Sequence, residues 1–179
     1  QAGNKKRFSE RKNRITSSNC HKVFIRKIKY QTLLDIFLNP QKDIEQSKFV
    51  QDALKHGRAY EAIAKEQSKK YMQYTMQRNI NVRETGIVIQ PNLFWLAASP
   101  DGLITDMNEE LPGLIEIKCP KSKKNLTPEE LLSDENFYVG RNDEGELFVK
   151  KNHHFGYYSQ IQMAMGLSQL TFCYFIVYT

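Results

Sequence analysis

The sequence holds only three cysteines, Cys20, Cys119 and Cys173, and they lie far apart. That number and spacing support neither a disulfide framework nor a zinc or iron–sulfur centre, and a reducing compartment is the expectation. No apolar run reaches the roughly 18–20 residues that a membrane span needs, so no membrane role is expected. The start is polar and basic rather than a secretory signal, which predicts an intracellular protein, cytoplasmic or nuclear according to its host. No Gly-rich phosphate loop is present, so ATP use is not indicated. There is one tryptophan, Trp95, expected in the core together with Met72, Met76, Met163 and Met165. The chain opens at Gln1 without a methionine and stops inside an apparent strand, which predicts a piece of something larger.

Acidic residues are almost missing from one end. Residues 1–29 carry ten Lys/Arg against the single acid Glu10, a net of +9, while the whole 179-residue chain is +6. A basic arm on a slightly acidic body suits an anionic polymer such as DNA or RNA. A solvated tail is the equal alternative on charge alone.

Ser17 or Ser18 would cap a helix reaching about Leu38, ended by Asn39–Pro40. A longer helix is expected from Ser47 to Gln77, with Val50, Leu54, Gly57, Glu61 and Ala64 on one face. Strands follow at Thr85–Gln90, Leu93–Ala98, Leu103–Thr105 and Leu114–Lys118. Residues 121–152 read as an excursion. It holds a capped helix start at Thr127-Pro128-Glu129-Glu130 and a hairpin around Asn142-Asp143-Glu144-Gly145. A helix over His153–Leu167 and a buried strand over Leu170–Tyr178 complete a mixed α/β domain, a small sheet flanked by helices.

The chemistry centres on Glu116-Ile117-Lys118. Alternation in a strand puts Glu116 and Lys118 on one face and Ile115 and Ile117 on the other. Asp101 sits in a tight turn just before, where Gly102 allows a sharp bend. Two converging carboxylates at about 4 Å repel by on the order of 4 kcal/mol at an effective dielectric of 20, a cost that a divalent cation removes. Hard oxygen ligands suit Mg²⁺ or Mn²⁺ rather than zinc. Glu61, on the apolar stripe of its helix, needs a partner or a metal unless the helix is rotated to leave it at a solvated edge. Gly57, one turn earlier, would let that helix pack closely on the sheet. Taken singly, a Glu-x-Lys strand and an Asp-Gly turn are ordinary surface features. His153 and His154 read as helix-start or DNA-backbone contacts, and Cys119 lacks a histidine partner for nucleophilic chemistry.

The assembled order is specific. His56-Gly57-Arg58-Ala59-Tyr60-Glu61, Ala98-Ser99-Pro100-Asp101-Gly102-Leu103, Ile115-Glu116-Ile117-Lys118-Cys119-Pro120 and Tyr157-Tyr158-Ser159-Gln160-Ile161-Gln162 follow one another. From about Arg11 to Thr179 the chain resembles the PD-(D/E)XK nuclease superfamily, and within it the phage lambda exonuclease, or YqaJ-type viral recombinase, group. The resemblance implies a restriction-endonuclease-like αβββαβ core over residues 47–179, with an insertion at about 121–152, preceded by a basic DNA-end-binding segment over 1–46. It implies that Asp101, Glu116, the Ile117 carbonyl and Glu61 hold one or two Mg²⁺ or Mn²⁺ ions, that Lys118 stands beside the attacking water, and that Gln160 and Gln162 border the site. Arg11, Thr16 and Ser18 match the stretch that binds a terminal 5′-phosphate, with Arg14 a rival for the arginine. The implied activity is 5′→3′ exonuclease digestion of duplex DNA. An annealing protein and a homotrimer are possible partners by the same resemblance. An endonuclease of the same fold and a non-catalytic DNA-binding module are the alternatives.

Overall fold

The computed structural model describes residues 5–38, 47–106 and 112–179. Its elements run α1 (Lys5–Arg11), β1 (Ile15–Thr16), α2 (Cys20–Phe24), α3 (Tyr30–Leu38), α4 (Lys48–Tyr74), β2 (Ile80–Arg83), β3 (Leu96–Ala97), β4 (Gly102–Asp106), β5 (Gly113–Lys118), α5 (Pro128–Ser133), β6 (Val139–Arg141), β7 (Leu147–Val149), α6 (Tyr157–Ser168) and β8 (Cys173–Val177).

The central sheet has the order β2-β4-β5-β8, antiparallel except for the parallel β5–β8 pair. Its faces follow from the alternation of β5. Ile115 and Ile117 pack against Ala64 of α4, whereas Leu114 packs against Ala164 and Leu167 of α6. The sheet is thus held between two helices, and Glu116 and Lys118 fall on the α6 side with Leu114. On α6, Gln160, Ala164 and Leu167 stand at i, i+4 and i+7, one face, so the stripe that buries the core also delivers Gln160 to Glu116.

Several expectations need correction. The strand expected at Thr85–Gln90 is a single bridge, Val88 to Ala98, and the first core strand is instead Ile80–Arg83. Pro91–Leu93 is a 3₁₀ turn, consistent with the fixed φ of proline, which shortens the next strand to Leu96–Ala97. The αβββαβ order survives, with β2, β4 and β5 as its three strands. The single helix from Ser17 to Leu38 is two helices broken at residues 25–29, where Lys29 takes a left-handed φ of 59°. Asn39–Pro40 lies outside the described residues. In α4, Ala64 and Met72 are buried two turns apart, but Val50 and Leu54 are 40% and 44% exposed. The N-terminal half of the stripe therefore runs past the sheet. Among the described residues, no neighbouring atom lies within 4 Å of where a Cβ on Gly57 would sit, so close packing does not explain that glycine. Trp95 is 46% exposed and Met76 is exposed as well, while Met72 is buried and Met163 and Met165 pack on the core. Helix α6 begins at Tyr157, four residues later than expected. His153 instead bonds the Asn136 carbonyl at 2.9 Å in the preceding loop. The last strand is half-buried, because β8 is an edge of the sheet.

The 121–152 segment keeps its expected local structure. Thr127 and Glu130 form a capping box on α5, and β6 pairs with β7. It is not detached: Leu131, Phe137 and Tyr138 form a cluster with Tyr157, Phe175 and Val177.

The N-terminal part is sewn to this frame. β1 runs parallel to β3, Ile15 beside Leu96 and Thr16 beside Ala97. Helix α2 lies on α6, and its buried His21 makes a 2.9 Å bond from Nδ1 to the Ser159 hydroxyl. Gly156 permits this seat: its φ is +68°, and a Cβ there would stand 2.3 Å from His21 Cβ. Gly156→Ala combines a left-handed alanine with a clash against the His21 side chain. It is expected to destabilise the protein by about 2 kcal/mol or more, read as a lowered urea midpoint. An unchanged midpoint would show that α2 is not seated on α6.

Candidate active site

Asp101 is placed by backbone logic. Its N–H donates to the Ile115 carbonyl (3.1 Å), and its Oδ2 accepts the Ile117 N–H (2.7 Å), so the carboxylate takes the place of a ladder partner just before β4. The turn is held from outside as well: Lys65 Nζ donates to the Asp101 carbonyl (2.7 Å) and Thr85 Oγ1 to the Pro100 carbonyl (2.7 Å). Gly102 is needed for space rather than for a bend. Its φ is not left-handed, but a Cβ would come within 2.6 Å of Ile115 Cγ2.

Across from this turn lies a buried polar cluster. Glu116 is 5% exposed. Its Oε1 accepts from Lys118 Nζ at 2.6 Å and from Gln160 Nε2 at 2.5 Å. Lys118 Nζ also donates to Gln160 Oε1 at 3.3 Å and stands 4.6 Å from the centre of the Tyr157 ring. Burial pushes the Glu116 carboxyl up to about 7, against the pull of Lys118 and with help from the Asp101 charge. For Lys118, burial works to strip the proton, but Glu116, Asp101 and Tyr157 together overcome it and raise the ammonium above its ordinary value.

A carboxyl that holds its proton in the folded state favours folding at low pH. The Glu116 contribution is fully present below the ordinary value of 4.5 and is lost as pH rises through about 7. Thermal melts in EDTA between pH 5 and 8 should therefore show a fall, on the order of 5 °C, that Glu116→Gln flattens. Parallel profiles for the two proteins would assign the effect elsewhere.

The residues present fit a hard divalent cation. Among the described residues, the hydrogen bonds to Glu116 fall on Oε1 and the bond to Asp101 on Oδ2, so each carboxylate keeps an oxygen for a ligand. Ile117 directs its N–H toward Asp101, and in a strand its carbonyl points to the same edge. Burial and the nearby Asp101 charge resist ionisation of Glu116, the condition a cation relieves. No three His, Cys, Asp or Glu side chains converge as a ligand group among the described residues. Glu61 stands near enough to Cys119 for its charge to help push up that thiol. Two carboxylates and a carbonyl leave positions for water, as Mg²⁺ prefers. Cys119 is raised to about 11, chiefly by burial, which opposes a thiolate role.

A second polar cluster lies on the N-terminal segment. Arg11 Nη2 donates to Ser18 Oγ (2.9 Å) and to Thr16 Oγ1 (3.4 Å), and the two hydroxyls are 3.1 Å apart. The Thr16 N–H is held by Asn19 Oδ1 at 2.7 Å. Arg14 is engaged elsewhere, in an ion pair with Glu10 (3.1 Å) and a bond to the Phe94 carbonyl (2.7 Å). Gln162 is exposed and lies beside Lys151, Tyr158 and Phe24, away from Glu116. Two steps along a helix turn it about 200° from Gln160.

Sequence reasoning missed Lys65, Tyr157, His21 and Asn19. Lys65 lies one turn after Glu61, on the same helix face, a signal that was available. The His21–Ser159 bond was not readable, because it joins residues far apart in the chain. Through it the Arg11 cluster is tied to α6, whose next residue, Gln160, holds Glu116.

This architecture, a mixed sheet between two helices with Asp101, Glu116 and Lys118 at one end, is the fold of nucleases. It matches the crystal structure of an alkaline exonuclease, LHK-Exo, from Laribacter hongkongensis, with a TM-score of 0.61 and 24% identity over 98% of this chain and 74% of that one. The same enzyme in complex with dAMP matches with a TM-score of 0.63 and 23% identity over the same shares. The sequence matches the YqaJ-like viral recombinase domain over residues 8–171, and the chain belongs to that family. No curated protein matches it. No helix among the described residues is long and apolar enough to cross a membrane.

Proposed function

We propose that this protein is a metal-dependent exonuclease that digests one strand of duplex DNA from a 5′ end during recombination. The observation that carries the reading is the buried Glu116–Lys118–Gln160 cluster facing the Asp101 turn, two carboxylates that each keep an oxygen for a ligand. Asp101, Glu116 and the Ile117 carbonyl hold Mg²⁺ or Mn²⁺, and Glu61 completes the set or holds a second ion, by likeness to the family. A bound ion supplies polarisation of the scissile phosphate and a more acidic water.

The chain's own residues do the rest. Lys118 presents an ammonium, fixed by Glu116 and Gln160, to charge that develops on the phosphate, and it orients the attacking water. Gln160 keeps Lys118 and Glu116 in register. Lys65 steadies Asp101 through its carbonyl. Arg11, Thr16 and Ser18 grip the terminal 5′-phosphate, with a guanidinium suited to two-pronged phosphate recognition. Gln162 contacts the strand beyond the site. Residues 1–46 serve as the DNA-end-binding part and 47–179 as the nuclease core, with a boundary outside the described residues. The basic segment holds the backbone without reading sequence, so binding weakens steeply with salt. The protein acts inside the cell, as a homotrimer and beside a single-strand annealing protein, by likeness to the family.

Polarity is tested with a linear duplex labelled at one 5′ or one 3′ end. Early release of the 5′ label as a mononucleotide is expected with Mg²⁺. Early release of the 3′ label would overturn the assigned direction.

A further inference from the structure

Beside the Arg11–Thr16–Ser18 cluster stands an aromatic pair that the reading above leaves without a task. Phe94 is 64% exposed and Trp95 46%. Their rings meet edge to face at 5.1 Å. The pair is fastened to the N-terminal segment through its own main chain. The Ile15 N–H donates to the Trp95 carbonyl (2.9 Å), Arg14 Nε to the Phe94 carbonyl (2.7 Å), and Thr16 pairs with Ala97 in the parallel ribbon. Upstream, Gln90 Nε2 donates to the Leu167 carbonyl (2.8 Å), and Pro91–Leu93 forms a 3₁₀ turn. The two rings are therefore presented from a segment tied at both ends, which limits the entropy lost when they bind.

We propose that Phe94 and Trp95 form a stacking platform for the terminal nucleobase of the DNA end whose 5′-phosphate sits on Arg11, Thr16 and Ser18. The inference rests on the phosphate role given to that cluster. Charge selects the occupant: the surrounding N-terminal segment is strongly basic, ten Lys/Arg to one acid over residues 1–29, which favours a polyanion over a second copy of this chain. Geometry selects the base. Thr16 of the cluster pairs with Ala97, two residues along the chain from Trp95, and a phosphate held there carries its own nucleoside. Aromatic stacking is tolerant of base identity, because every base offers a π-face, so end binding stays independent of sequence.

Trp95 is the sole tryptophan, so its emission reports on this platform alone. The experiment adds a 5′-phosphorylated duplex to the full chain, with Ca²⁺ in place of Mg²⁺ to limit cleavage, and follows anisotropy of the DNA and emission of Trp95 together. A second duplex lacks the base of its 5′-terminal nucleotide. The expected result is strong quenching by the intact end and little by the abasic end at equal saturation. Phe94→Ala should weaken binding of the intact end about tenfold and leave the abasic end unchanged, and Trp95→Phe should retain most of the affinity that Trp95→Ala loses. Binding without quenching, or equal quenching by both ends, overturns the platform while leaving the nuclease reading intact. Trp95 emission that changes as the protein self-associates in the absence of DNA, with that association abolished by Phe94→Ala, also overturns it and makes the patch a self-association surface. No binding of any duplex overturns both readings.

Discussion

Lys118→Ala is expected to lower the rate of DNA cleavage on the order of a thousandfold, with little change in DNA affinity. The lysine touches nothing that would hold DNA at a distance. Its ammonium is packed between Glu116 Oε1 at 2.6 Å, Gln160 Oε1 at 3.3 Å and the face of Tyr157. Removing it withdraws positive charge from a site where water is largely excluded, so the loss falls on the step in which charge develops. It also leaves Glu116 buried with only Gln160 as a partner, which raises its demand for a proton and weakens metal binding. Lys118→Arg should not restore activity. A planar guanidinium fills more space than a point ammonium and cannot take its place between Glu116, Gln160 and the Tyr157 ring. Single-turnover kinetics with binding measured separately check this. A loss confined to affinity would place Lys118 in DNA holding instead.

Arg11→Ala is expected to remove the advantage of a 5′-phosphorylated end over a 5′-hydroxyl end. A guanidinium–phosphate contact is worth about 1.5–3 kcal/mol, so the wild-type preference should be roughly 10- to 100-fold and should collapse toward unity in the variant. Arg14→Ala is the matched control. Arg14 is committed to Glu10 and the Phe94 carbonyl, and its removal should leave the preference intact. Competition between the two ends in one digestion measures both. Survival of the preference in Arg11→Ala, or its loss in Arg14→Ala, would exchange the roles of the two arginines.

How far the sequence led depended on the range of the interaction. Local signals read well. The alternation of residues 114–118 placed Glu116 and Lys118 on one face, and the capping box at Thr127 formed as its residues required. Ordered motifs placed Asp101, Glu116, Lys118 and Gln160 together, because strand and helix periodicities bring them to one end of the sheet. What failed was set by neighbours distant in the chain. The β-branched run at Thr85–Gln90 has strand propensity, yet pairing with β4 goes to Ile80–Arg83, where Ile80 also buries against Met72. Val50 and Leu54 fit the helix stripe, but the sheet does not extend under them. Trp95 has the hydrophobicity of a core residue and lies instead beside the basic segment.

The central claim, that the Asp101–Glu116–Lys118 site digests DNA from an end with a divalent ion, is tested most directly by one digestion. A linear duplex with 5′-phosphates is incubated beside the same DNA as a closed circle, with Mg²⁺ or Mn²⁺ and with EDTA. The account predicts loss of the linear DNA alone, only with metal, and none with Lys118→Ala. Cutting of the circle would contradict the exonuclease and point to an endonuclease on the same fold. Intact linear DNA despite salt-sensitive binding would contradict the enzyme and leave a DNA-binding module.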